Sequence, residues 1–240
     1  RLTLINGDYA RYYAYDAKTS TLYTATLEDP ARRVLLENVL DYSIKGSSIL
    51  YASKQGAETD QLAVRLYQNN KSYLVRTVDK DEKLLLALSQ YAGSWYVAVG
   101  VPGHNSVYVY QNAATVLSRQ ANAALAPLAI LNVPQPDHLS FSPNGQYVLA
   151  QHDVEFAVYD VRYGDNYRYS VPTKLDVPQK HVAWMDGYRL AYVSGGKMVV
   201  MDYDGINRQV LMDASPQFTP LFSRSYKNVL SIMNEVVPSN

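Results

Sequence analysis

The chain has 240 residues, with 22 Lys plus Arg set against 22 Asp plus Glu, so its formal net charge is zero. With 48% hydrophobic and only 18% charged residues it reads as a folded protein, and the missing basic excess argues against nucleic acid or an anionic membrane surface as a partner. There is no cysteine, which excludes disulfides, thiolate metal sites and cysteine nucleophiles together, and no apolar run is long enough to span a bilayer. The chain opens on Arg1 and its first methionine is Met185, so a processed or excised chain is expected.

Along the chain, apolar and polar residues alternate over short runs, and helical periodicity is rare. Turn pairs punctuate the runs at Asn6-Gly7, Asn144-Gly145, Asp186-Gly187, Gly195-Gly196 and Asp204-Gly205, as tight hairpins require. Residues 9–39 supply the strands of a first unit. Residues 39–79 give a second, through VLDYSIKGSSILYASKQ, DQLAVRLYQNN and KSYLVRTVD. A third runs from LLLALSQYAGSWYVAVG through NSVYVYQNA to a last strand near Leu128 to Val133. The clearest unit begins at Asp137 with HLSFSPNGQYVLAQHD, VEFAVYDVRYGD and NYRYSV. The next reads HVAWMDGYRLAYVSGG, KMVVMDYDGINR and QVLMDA. Residues 218–235 carry two strands of a further unit.

The first strands of successive units start near Leu40, Leu84, Leu139, Val182 and Thr219, a spacing of about 45 residues. A repeated four-strand unit at that period predicts an all-β chain folded as a single β-propeller over residues 1–240, with about six four-stranded blades or, alternatively, five and a partial one. Either the opening residues complete the last unit, which is preferred because ring closure leaves no free sheet edge, or the chain is cut inside a blade. Residues 112–131, NAATVLSRQANAALAPLAIL, break the pattern. Alanine favours helix and Pro127 ends one, so a loop or short helix is expected, either as a tolerated surface insertion or as a partner-binding element.

SFSPNGQYVLA, residues 140–150, resembles the Ser-Pro-Asp-Gly repeat of TolB-type, WD40-like propellers, with Asn144 where aspartate is usual. MVVMDYDGINRQVL, residues 198–211, is similar to the later hairpin of that repeat, through Met201, Asp202, Asp204, Gly205 and Asn207. The whole also resembles propeller-like regions of bacterial envelope proteins that carry PEGA domains, although no PEGA module is present. The resemblance implies a bacterial, non-enzymatic propeller outside the cytoplasm, binding a protein or glycan or supporting an envelope assembly, with a cytoplasmic setting as the alternative. It carries over no catalytic residues.

The residues themselves hold little chemistry. There is no Gly-x-Ser-x-Gly elbow, no phosphate-cradling loop and no EF-hand spacing around Asp202 and Asp204, and no cofactor is expected. His138 and His181 each precede the first strand of neighbouring repeats, with Asp137 beside the first, so these three are the candidate binding residues. Two histidines and a carboxylate suit a divalent metal, but such a site needs three or four converging ligands, so no metal is assigned and turn-capping histidines are expected. The 22 tyrosines fit half-wet strand faces, and those in loops fit a recognition surface. Two rival readings stay open: a glycoside hydrolase or lyase with carboxylates at a central channel, and a structural spacer.

Overall fold

The computed structural model describes residues 2–5, 8–55, 58–80, 83–119, 124–176, 181–217, 221–222 and 229–230. Its contacts divide the chain into two compact units, residues 1–130 and 131–240. Sheet A of the first unit holds β1 (Leu2–Ile5), β2 (Asp8–Asp16), β3 (Thr21–Thr26) and β4 (Arg33–Leu36) in that spatial order. Sheet B holds β5 (Val39–Lys45), β6 (Ser48–Ser53), β7 (Gln61–Gln68) and β8 (Lys71–Asp79). Sheet C holds β9 (Leu85–Tyr91), β10 (Ser94–Val101), β11 (Ser106–Gln111) and β12 (Ala129–Asn132), with helix α1 (Ala113–Arg119) between the last two.

In the second unit, sheet D holds β13 (His138–Phe141), β14 (Tyr147–His152), β15 (Glu155–Asp160) and β16 (Asn166–Ser170). Sheet E holds β17 (Ala183–Trp184), β18 (Arg189–Ser194), β19 (Lys197–Asp202) and β20 (Gln209–Asp213), and β21 (Leu221–Phe222) pairs with β22 (Val229–Leu230). All five four-stranded sheets are antiparallel meanders, as the repeat period predicts. At the opening of the chain β1 pairs with β2 inside sheet A, and most of the last unit lies outside the described residues.

Middle strands are buried on both faces, which is why they read as continuous apolar runs and not as alternation. All six residues of β6 are buried, as are Val148, Leu149 and Ala150 of β14 and Ala191, Tyr192 and Val193 of β18. The core lies between facing sheets. In the first unit Leu62, Val64 and Leu66 of sheet B meet Val97, Val99 and Tyr110 of sheet C, and Tyr13 and Leu22 of sheet A meet Ile49 and Tyr51 of sheet B. In the second, Leu149, Phe156 and Val158 of sheet D meet Leu190, Tyr192 and Met201 of sheet E. Residues 112–131 contribute to the core of the first unit: Ala113, Ala114 and Leu117 of α1 are buried with the sheet B and C side chains, and residues 120–123 lie outside the described residues.

Turns are closed by side chains as well as by backbone. In the Ser-Pro-Asn-Gly turn the Ser142 hydroxyl donates to Asn144 Oδ1 at 2.7 Å and accepts from the Tyr147 amide at 3.0 Å, while the Gln146 amide donates to Asn144 Oδ1 at 3.1 Å. In sheet E, Asp186 does the same work, accepting from the amides of Tyr188 and Arg189 at 2.9 and 2.7 Å. The Asp-Gly turn of the β19–β20 hairpin lies against sheet D. Gly205 has φ +84°, and a Cβ there would fall 2.5 Å from the ring of Tyr169. That ring is held on both sides, stacked on Phe156 at 5.2 Å and tied through its hydroxyl to Tyr203 O at 2.9 Å.

Gly205→Ala combines a left-handed backbone with a collision, so a loss of about 2–4 kcal/mol is expected. Gly195→Ala, at φ +60° with open space around it, isolates the backbone part and should cost about 1 kcal/mol. Denaturant unfolding of the two variants checks this, and equal losses would mean that Tyr169 yields.

Candidate functional site

The antiparallel topology sorts the second unit's turns into two ends. The β13–β14, β15–β16, β17–β18 and β19–β20 turns lie at one end of their sheets. The β14–β15 turn and the connection into β17 lie at the other, and it is there that the candidate residues gather.

Asp137 immediately precedes β13 and His181 lies two residues before β17, and the structure brings them together. Asp137 Oδ1 is 3.5 Å from His181 Nε2, and the rings of His138 and His181 stack with centroids 4.5 Å apart at 24°. A fourth member was missing from the sequence reading. His152 Nδ1 lies 3.5 Å from Asp137 Oδ2, so one carboxylate sits between two imidazoles. The pairing follows from register: His138 is opposite Gln151, so the next step outward sets Asp137 against His152. Counting outward from the Ser-Pro-Asn-Gly turn finds it.

Beneath the cluster, Gln151 is fully buried and ties the two sheets together. Its Nε2 donates to Asp153 O at 2.8 Å and its Oε1 accepts from the Val182 amide at 3.0 Å. The His138 ring is largely withdrawn from water. Burial, and secondarily the facing His181, hold its pKa down at about 4 against an ordinary 6.5, so it is neutral at physiological pH. The contacts of the pair include the ring stacking and, for His181, the Asp137 carboxylate. Among the described residues no group of three or more His, Cys, Asp or Glu side chains is placed to hold a metal ion. The arrangement straddles the joint between sheets D and E.

The opposite end carries aromatic residues. Tyr147 stacks on Tyr203 at 4.0 Å and on Trp184 at 6.2 Å, and Tyr167 meets Tyr203 edge-on at 5.1 Å. Two tyrosines project from the turns: Tyr163 is 65% exposed and Tyr188 is 50% exposed. Each lies under a guanidinium, that of Arg162 at 4.8 Å and that of Arg189 at 5.3 Å. The carboxylates nearby are occupied by structure. Asp160 is buried and accepts from the Arg162 amide at 2.8 Å and from Gln146 Nε2 at 3.1 Å, and Asp186 holds Arg189 Nε at 2.6 Å.

No protein-family model matches the sequence. No curated protein matches it. Solved structures do: a chain of the mitotic checkpoint complex matches with a TM-score of 0.57 at 13% identity, covering 96% of this chain and 73% of its own length. A chain of the complex of the fission yeast SREBP–SCAP binding domains matches with a TM-score of 0.58 at 11% identity, covering 91% of this chain, which spans only 60% of it. At these identities the likeness is one of fold, and it agrees with a β-propeller. No helix among the described residues is long and apolar enough to cross a membrane.

The cluster makes folding stability depend on pH. His138 binds its proton more readily unfolded than folded, so stability is complete above about pH 6.5 and is lost as the pH falls toward about 4. Between about pH 7 and about pH 5 the ring's share of the loss should be about 1–2 kcal/mol, allowing for water reaching a half-buried group. His138→Phe should remove that share, read as a smaller shift of the denaturant midpoint than in the parent; an identical shift would place the titration elsewhere.

Proposed function

We propose that the chain is a non-enzymatic β-propeller domain that binds a protein partner, with five four-stranded blades and a sixth begun by β21 and β22. Exposed Tyr163 and Tyr188 carry this reading. Tyrosine and arginine are the residue types most concentrated at the energetic centres of protein interfaces, since each offers a large rigid face and a polar tip. Here they come as stacked pairs on two turns at the same end of neighbouring sheets, where turn residues are free to serve a partner without disturbing the core. The folds it resembles were both solved within protein assemblies, which agrees with a scaffold role. The TolB-like repeats at residues 140–150 and 198–211 support a setting outside the cytoplasm, at a bacterial envelope.

The test is affinity capture with the parent chain and with Tyr163→Ala/Tyr188→Ala as paired baits. A partner held by the parent should bind the double variant at least about tenfold more weakly, while thermal unfolding stays unchanged. Equal binding by both baits would remove the tyrosine turns from the interface. Polysaccharide turnover by the parent would overturn the non-enzymatic reading in favour of a hydrolase or lyase.

A further inference from the structure

A second candidate site lies in the first unit, and it stands independently of the tyrosine turns. The β7–β8 pairing slips between Val64 and Arg65: Val64 faces Arg76 while Arg65 faces Leu74, leaving Val75 as the extra residue of a bulge. A bulge re-aims the side chains beyond it. Val75 and Val78 are both buried although they are three residues apart, and Arg76 is set directly across from Val64, on a face otherwise built from Leu62, Val64 and Leu66. An arginine therefore points where the strand pattern calls for an apolar residue.

Its environment does not neutralise it. The guanidinium lies 3.6 Å from the centre of the Tyr108 ring, and Nη1 donates to the Tyr110 hydroxyl at 3.1 Å. Nε is buried without a hydrogen-bond partner, and no described carboxylate forms an ion pair with Arg76. Arginine does not shed its proton at accessible pH, so the charge stays. A half-buried cation of five donors with one hydrogen bond is an incomplete arrangement. Beside it opens a cavity of about 370 Å³ walled by Leu74, Val75, Thr77, Tyr110 and Leu125, at the small end of the range for ligand sites. The adjoining groove on the other side of Leu74 adds Arg65 and Lys71, with no carboxylate among its described lining residues.

We propose that the Arg76 cavity binds a carboxylate carried on a peptide: an aspartate or glutamate side chain of a partner protein, flanked by an apolar residue. The planar fork, flattened on Tyr108 and edged by the Tyr110 hydroxyl, matches a flat two-oxygen acceptor. A phosphate, carrying up to two charges and three acceptor oxygens, calls for more cations than the one arginine in this cavity. The apolar walls take the flanking side chain.

The probe is N-acetyl-glutamyl-leucinamide, titrated into ¹⁵N-labelled protein while the Arg76 Nε–H resonance is followed, with N-acetyl-glutaminyl-leucinamide and inorganic phosphate as the comparison ligands. The glutamyl probe should shift that resonance at millimolar concentration, and the glutaminyl probe should bind about tenfold more weakly, as a lost charge-assisted pair requires. Arg76→Gln should abolish the response of the neighbouring Thr77 and Leu125 amides, and Arg76→Lys should weaken it. No shift of the Arg76 resonance in the parent, an equal shift with the glutaminyl probe, or tighter binding of phosphate would each overturn the proposal. Because the parent's own Nε–H is read directly, the outcome stands even if a variant fails to fold.

Discussion

The middle strands of sheets B to E have two apolar faces, and neither can be left to water. The middle strands carry that demand: β6, β10, β14, β18 and β19 are buried above and below, and a single residue such as Leu50 or Leu190 loses essentially all of its exposure. Burying a side chain of that size is worth about 1.5–3 kcal/mol, and a sheet repeats the gain along every middle strand. Sheets therefore stack on sheets, and the surface open to function is confined to turn ends and outer strands. β16 alternates between half-buried and exposed residues and β20 is exposed throughout, which is what an outermost strand has to offer.

The same demand explains why the polar residues look chemically quiet. A turn at the end of a buried hairpin has backbone amides to satisfy, and Asn144, Asp160 and Asp186 satisfy them with short side-chain oxygens. A carboxylate bound to two amides and an arginine is fixed in position, so it serves the geometry of the turn. The repeat motif is thus a device for ending strands. Groups that escape this use stand out: the Asp137–His138–His152–His181 cluster, and Arg76.

Much of the architecture was legible because turn chemistry and hydrophobic runs are local signals. The Ser-Pro-Asn-Gly and Asp-Gly pairs marked hairpins that the structure keeps, and the period of the repeats anticipated four-stranded sheets. Two failures have physical causes. The pairing of β1 with β2 was missed because closure of a ring was preferred over a hairpin one turn away, although the local partner carries the smaller entropic cost. Arg76 was passed over because a bulge inverts the inside–outside pattern downstream of it, and nothing in KSYLVRTVD announces an extra residue. His152 is the opposite case: register counted from a known turn places it opposite Asp137, so its omission reflects reading residues along the chain and not across it.

The short helix α1 bears on how this chain tolerates change. Its alanines and Leu117 are mortar between sheets B and C, with Ala113 and Ala114 small enough to let the helix backbone approach β7, β8 and β10. An excursion of this kind is ordinarily the first place to graft a tag, splice a domain or trim a chain. Here, trimming it would open a void against two sheets at once, and any lineage that shortens the segment must enlarge side chains on β7, β8 and β10 in step with the deletion. The segment that departs from the repeat is therefore harder to remove than the hairpin tips that obey it.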